Sequence, residues 1–256
     1  MRFPLTLFQA LLLGIIQGLT EFFPISSSAH LKLTRFLMGL PEGDQWLYFD
    51  LLCHAGTWLA LVWFLRREVW EVLRSPRKIA LFSLALAPLV PAYFFLKPLR
   101  VLLSAPSFTG YFLLGTSALL FLASKAQERT TSERKWRSVV CIGGMQALAL
   151  LPGLSRSGST IATAKFCGWS WVEGARFSFL LAVPTILGGE VLESYRLLKE
   201  ANSFSWSAGL VGFLAAFGVG LVAVRFVFWV YEKGFVKPFA WYCCAMGFLM
   251  LWVWHA

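Results

Sequence analysis

Two short polar clusters interrupt a largely apolar chain, and both carry side chains suited to phosphate chemistry. The first reads Gln17-Gly-Leu-Thr-Glu21-Phe-Phe-Pro24-Ile-Ser26-Ser27-Ser28-Ala-His30. Gln17 and Glu21 are four apart and would share one face of a helix. Pro24 should break that helix, leaving carbonyls free and three hydroxyls and an imidazole just beyond. An acidic side chain at mid-bilayer costs about 2.5–3.5 kcal/mol, so Glu21 needs water, a cation or an arginine beside it. The alternative is that Glu21 is a structural partner to a buried base, or a cap. A carboxylate, an imidazole and hydroxyls so close together favour a site.

The second cluster reads Pro152-Gly-Leu-Ser155-Arg156-Ser157-Gly158-Ser159-Thr160. Its glycines let the backbone approach an anion, its hydroxyls can donate, and Arg156 offers a planar fork for phosphate oxygens. A helix beginning near Ser157 would add the partial positive charge of its free N–H groups. The spacing is not that of a P-loop. A polar helix–helix contact with a snorkelling Arg156 is the competing reading. Between them the clusters supply what hydrolysis of a diphosphate needs. Arg156, with Ser155, Ser157 and Thr160, can hold the phosphates and offset charge growing in the transition state. Glu21, alone or with Gln17, can bind a hard divalent cation, Mg²⁺ or Ca²⁺, shared with diphosphate oxygens. Ser27 or a water can attack phosphorus, Ser26, Ser28 and Gln17 can help bind the substrate, and His30 can take or give the proton.

The elements that must position these clusters are membrane helices. Of the 256 residues, 58% are apolar and only 14% charged, too few charges to cover a soluble domain of this size. The 23 Lys and Arg against 13 Asp and Glu fit basic cytoplasmic loops and anionic lipid; no nucleic-acid partner is expected. The five cysteines form no metal-spaced cluster and read as small buried hydrophobes. The opening apolar run lacks an A-x-A-like cleavage site, so it is kept as part of the mature fold.

Six stretches are long enough, or nearly so, to span: Phe49–Leu65, Ile79–Leu96, Phe108–Ser124, Arg176–Leu192, Gly209–Tyr231 and Pro238–Trp254. Two more, Leu5–Thr34 and Ser138–Gly168, begin as apolar helices and break at Pro24 and Pro152, the pattern of re-entrant segments. Arg66–Lys78 and Lys125–Arg137 each carry five Lys or Arg and Arg225–Lys237 three, whereas the alternate loops carry two each. The positive-inside rule puts the richer set in the cytoplasm. Leu5–Thr34 then dips in from outside and Ser138–Gly168 from the cytoplasm. The expected fold is therefore an all-α polytopic membrane protein, one domain over residues 1–256. Its about six transmembrane helices and two re-entrant helix-loop segments form an inverted repeat of halves 1–124 and 138–256, joined by the basic loop 125–137. Glu21 and Arg156 should converge near mid-membrane, in a cavity open to the outer face.

At these two clusters the sequence closely resembles the undecaprenyl-diphosphate phosphatase family, also called the bacitracin-resistance protein family. The likeness runs through both motifs and His54-Ala-Gly-Thr57, Gln146-Ala-Leu-Ala-Leu-Leu, Phe177-Ser-Phe-Leu-Leu-Ala-Val-Pro184 and Phe239-Ala-Trp-Tyr242 with Gly247. It implies a multi-pass enzyme of the bacterial inner membrane that converts the C55 diphosphate carrier to its monophosphate for cell-wall synthesis. Divalent-cation dependence and bacitracin resistance are also implied. The family's roles fall on Glu21, Ser27, His30 and Arg156. Gln17 stands where the family writes Glu or Gln, so one carboxylate of a two-carboxylate metal site is replaced by an amide. The expected partners are a polyprenyl diphosphate and the bilayer, with a homodimer left open.

His54 and Thr57 could line the cavity or be satisfied core groups. Glu173 and Arg176 read as an interfacial helix pair. Glu190 and Glu193 are expected at an outer helix end without chemistry, and His255 as inert. A transporter or flippase of a phosphorylated polyprenyl lipid is the competing function, and a head-group receptor a third.

Overall fold

The computed structural model describes residues 5–41, 46–128, 136–197 and 205–255, with side chains to 195 in the third stretch. The centre of the basic loop 125–137 lies outside them. Thr6 opens α1 (Leu7–Thr20) with a reciprocal cap, its hydroxyl accepting from the Gln9 N–H and the Gln9 side chain from its own N–H. The helix stops at Thr20 because a continued helix would drive the Pro24 ring into the Thr20 carbonyl. The chain turns through 21–26 and restarts as α2 (Ser27–Leu37). Then follow α3 (Leu47–Phe64), α4 (Arg66–Leu73), α5 (Pro76–Leu86), α6 (Leu89–Phe95), α7 (Lys97–Leu102) and α8 (Pro106–Ala123).

The second half repeats the broken form. α9 (Trp136–Leu148) leads into a turn at 149–155 containing Pro152, and α10 (Arg156–Phe166) restarts from it. Gly153 takes a φ of 99° there, and a Cβ on it would sit 3.1 Å from Thr109 Cα and Phe112 Cβ. The long α11 (Trp171–Leu197), α12 (Trp206–Glu232) and α13 (Lys237–His255) complete an architecture without strands among the described residues.

Five helical stretches are long and apolar enough to cross a membrane: Leu47–Phe64, Pro76–Phe95, Pro106–Ala123, Trp171–Tyr195 and Trp206–Glu232. The protein is thus an all-α, multi-pass membrane protein. The sixth expected span is the 19-residue α13. At 1.5 Å per residue it covers about 28 Å, but its Trp, Tyr, Lys and His keep it below the hydropathy of the other five. The span expected as Ile79–Leu96 is present as Pro76–Phe95, with a turn at Ala87 and Pro88 between α5 and α6. The expected Arg176–Leu192 is longer, running from Trp171 through the internal Pro184, beside which the Trp58 indole donates to the Val183 carbonyl (2.9 Å). Part of the expected outer loop after Leu31 is helical, as α2.

Lipid removes the hydrophobic drive between helices, so close packing through small residues must hold them. Gly14 and Gly18 of α1 lie on Gly212, Ala216 and Gly220 of α12; a Cβ on Gly14 would come within 2.5 Å of the Gly212 carbonyl oxygen. Gly110 of α8 meets Gly247 of α13, and Gly143 of α9 meets Ala85 of α5. Each broken segment therefore packs on a span of the other half. An aromatic core fills the centre, with Phe22 edge-on to Phe179 and Phe179 to Phe228. Cys53 and Cys243 are buried as expected, whereas Cys141 is exposed on α9. At the end bearing the basic loops, Arg66 and Arg74 lie over Trp63 and Trp70, an interfacial pairing of cation and ring.

Candidate active site

The two turns meet. Ending α1 at Thr20 leaves Glu21 at the first non-helical position, 9% exposed and still hydrogen-bonded through its N–H to the Gln17 carbonyl. Arg156 begins α10, behind Ser155, whose hydroxyl caps the helix by accepting from the Gly158 N–H. Arg156 Nη2 donates to Glu21 Oε1 at 2.8 Å, closing a separation of 135 residues. Glu21 Oε2 accepts from Ser27 Oγ (2.8 Å) and from Gln17 Nε2 (3.1 Å). The Gln17 amide nitrogen also donates to His54 Nδ1 (2.9 Å).

A cavity of about 330 Å³ opens beside this cluster. Ser26, Ser27 and Ser28 line one side and Ser155, Arg156 and Ser157 another. These are the first residues of α2 and α10, so both helix N-termini face the cavity and favour an anion there. Arg156 Nη1 and Gln17 Oε1 are buried and unpartnered. A buried donor without an acceptor is costly, and beside a cavity it marks a place for a ligand oxygen.

The first turn is held from three directions, which answers where its freed carbonyls go. Ser157 Oγ donates to the Phe23 carbonyl (3.1 Å), Cys243 Sγ to that of Pro24 (3.4 Å) and His30 Nδ1 to that of Ser26 (2.8 Å). Ser26 itself has φ 68°, the one non-glycine residue with positive φ among those described. Such a conformation costs of order 1–3 kcal/mol and persists only where its surroundings over-determine it.

Not every expected site residue reaches the cavity. His30 is 8% exposed, its ring spent on Ser26 and on the Tyr242 hydroxyl (2.7 Å). Thr160 Oγ1 bonds the Arg156 carbonyl (2.8 Å) and Ser178 Oγ (2.6 Å), tying α10 to α11. Gln17 stands behind Glu21, with no exposed surface. Conversely, His54 lines the cavity, as do Glu190 and Glu193 on the far wall with Ile186 and Gly189. The sequence reading gave those two carboxylates no chemistry. The signal was present: Glu190 follows Gly188-Gly189 within an apolar span, where the cost argued for Glu21 applies equally.

The donor set also bears on a divalent cation. Glu21, Glu190, Glu193 and the unpartnered Gln17 Oε1 are hard oxygens. No group of three or more His, Cys, Asp or Glu among the described residues is placed to hold a metal by itself.

The family model of bacitracin resistance protein BacA matches residues 10–249, a range containing both turns and both cavity walls. Among the relatives, the undecaprenyl-diphosphatase of Protochlamydia amoebophila is 36% identical over 248 residues, covering 95% of this chain and 96% of its own. That of Salinibacter ruber is 36% identical over 270 residues, covering 97% and 100%. That of Christiangramia forsetii is 38% identical over 257 residues, covering 94% and 96%.

Proposed function

Because this chain belongs to the bacitracin resistance protein BacA family, we propose that it is an undecaprenyl-diphosphatase. It hydrolyses undecaprenyl diphosphate to the monophosphate and phosphate, renewing the cell-wall lipid carrier and conferring bacitracin resistance. The flippase reading is not favoured: the named relatives are phosphatases. The observation that carries the proposal is the Glu21–Arg156 pair, set between two helix N-termini at a cavity within a membrane-spanning bundle.

Arg156 Nη1 and the N-terminal turns of α2 and α10 take the oxygens of the diphosphate. Ser27 already donates its proton to Glu21. Glu21 accepts that proton as Ser27 Oγ bonds the terminal phosphorus and the bridging P–O bond breaks. The lipid monophosphate leaves, and water then cleaves the phosphoserine, with the proton on Glu21 returning to Ser27. A divalent cation would be held by Glu21, alone or with the Gln17 side-chain carbonyl, with phosphate oxygens completing its shell, and would offset charge on the diphosphate.

The cavity opens to the outer face in this reading. Arg176, near the start of α11, pairs with Glu68 of the Arg66–Lys78 segment, so Glu190 and Glu193, near the other end of that helix, lie remote from the basic cluster. In a bacterium, that face of the inner membrane is periplasmic. The test is phosphate release from undecaprenyl diphosphate by purified protein with and without divalent cation. Release that survives both Glu21→Ala and Arg156→Ala would overturn the site.

A further inference from the structure

We infer that Tyr242 is a positioning residue for this reaction, acting through His30 to hold the Ser26–Ser27 turn, and that His30 takes no proton from the nucleophile. The inference rests on the proposed phosphatase activity and deepens it.

The hydrogen bonds dictate the tautomer. A carbonyl oxygen only accepts, so His30 Nδ1, 2.8 Å from the Ser26 carbonyl, carries a proton. The neutral ring's other nitrogen, Nε2, then accepts from the Tyr242 hydroxyl at 2.7 Å. The two rings are stacked nearly parallel, 9° apart with centroids 5.6 Å from one another. Both nitrogens are occupied, and neither belongs to the cavity wall. The Ser27 proton already points to Glu21. A base at His30 would have to give up a neighbour and cross the turn.

The geometry gives the pair a different task. The backbone N–H of His30 lies 3.4 Å from the Ser26 carbonyl, a long contact for the opening bond of a helix. The imidazole supplies the short one. With Ser26 at φ 68° and no side-chain cap on α2, this bond is what keeps the strained residue in place and Ser27 against Glu21. Tyr242 secures it by holding the proton on Nδ1. The next residue, Cys243, donates to the Pro24 carbonyl, so α13 grips the turn at consecutive positions.

The test measures kcat and KM for phosphate release from undecaprenyl diphosphate in detergent by wild type, Tyr242→Phe, His30→Asn, His30→Ala and the Tyr242→Phe/His30→Asn double variant. Asparagine places an N–H where Nδ1 stands but cannot act as a base near neutral pH. Expected is a roughly tenfold fall in kcat for Tyr242→Phe with KM within about twofold. His30→Asn should stay within about tenfold of wild type while His30→Ala, which leaves the Ser26 turn unheld and Ser27 misplaced, falls at least about 100-fold. In the His30→Asn background, Tyr242→Phe should cost less than about twofold, because no tautomer remains to be held. His30→Asn as inactive as His30→Ala, or Tyr242→Phe with wild-type kcat, would overturn the inference. Wild-type protein that releases no phosphate would overturn the proposed function instead.

Discussion

Replacing Arg156 by lysine keeps the charge and removes the fork. The guanidinium spans two tasks: Nη2 is bonded to Glu21 at 2.8 Å while Nη1, buried and unpartnered, awaits a ligand oxygen. A lysine ammonium is a single point and cannot serve both positions. One charge-assisted hydrogen bond is lost, worth about 1.5–3 kcal/mol. The pair is shielded, the two side chains being 17% and 8% exposed, so the upper part of that range applies. Two to three kcal/mol corresponds to a fall in kcat/KM of roughly 30- to 150-fold. Arg156→Ala, which also leaves Glu21 as an unpaired buried charge, should cost about 3–5 kcal/mol, roughly 200- to 5,000-fold. Initial rates of phosphate release at substrate concentrations below KM, in saturating divalent cation, measure both. Arg156→Lys within threefold of wild type would refute the two-pronged role. Arg156→Ala keeping more than a tenth of wild-type kcat/KM would refute the site.

Four further outcomes follow from the same geometry. Gln17→Glu puts a second carboxylate beside Glu21 and should lower the half-saturating divalent-cation concentration; an unchanged midpoint in a cation titration contradicts the cation's placement. Glu21→Gln should weaken Mn²⁺ binding by at least about tenfold in paramagnetic resonance titrations, without substrate turnover as the readout; unchanged binding contradicts Glu21 as the ligand. Gly14→Val forces a Cβ to within 2.5 Å of the Gly212 carbonyl oxygen, so thermal unfolding should show a loss of about 1–3 kcal/mol; wild-type stability would mean that α1 and α12 do not pack this closely. A cysteine at Leu40, in a background lacking the exposed Cys141, should react with an impermeant maleimide from outside the cell only, and labelling from the cytoplasm alone would invert the assigned topology.

The helix breaks were readable from neighbouring residues because their causes are local. Pro24 and Pro152 cannot continue a helix, and behind Pro152 the Ser155 hydroxyl caps the next one. Glu21 and Arg156 stood out because an apolar flank makes a charge expensive wherever its partner turns out to be. Glu190 met the same criterion and was set aside as a helix-end residue. The span expected at Ile79–Leu96 stands as Pro76–Phe95, and Pro88 marks the turn that divides it into α5 and α6. Thr160 and His30 adjoin the two turns in sequence, but nearness at a turn does not fix a side chain's direction. One faces Ser178 and the other Tyr242.

By itself, then, the sequence determined the membrane class, the two interrupted segments, the set of polar side chains suited to phosphate and the family. Only the tertiary structure decided which of those side chains face one another. It joined Glu21 to Arg156 across 135 residues, set His30 against Tyr242 across 212, and turned two carboxylates of α11 toward the cavity. The physical reason is that conformational cost is written in the residues that bear it. Convergence depends on which small-residue faces of distant helices, such as Gly14 with Gly212 and Gly110 with Gly247, approach closely enough to lock.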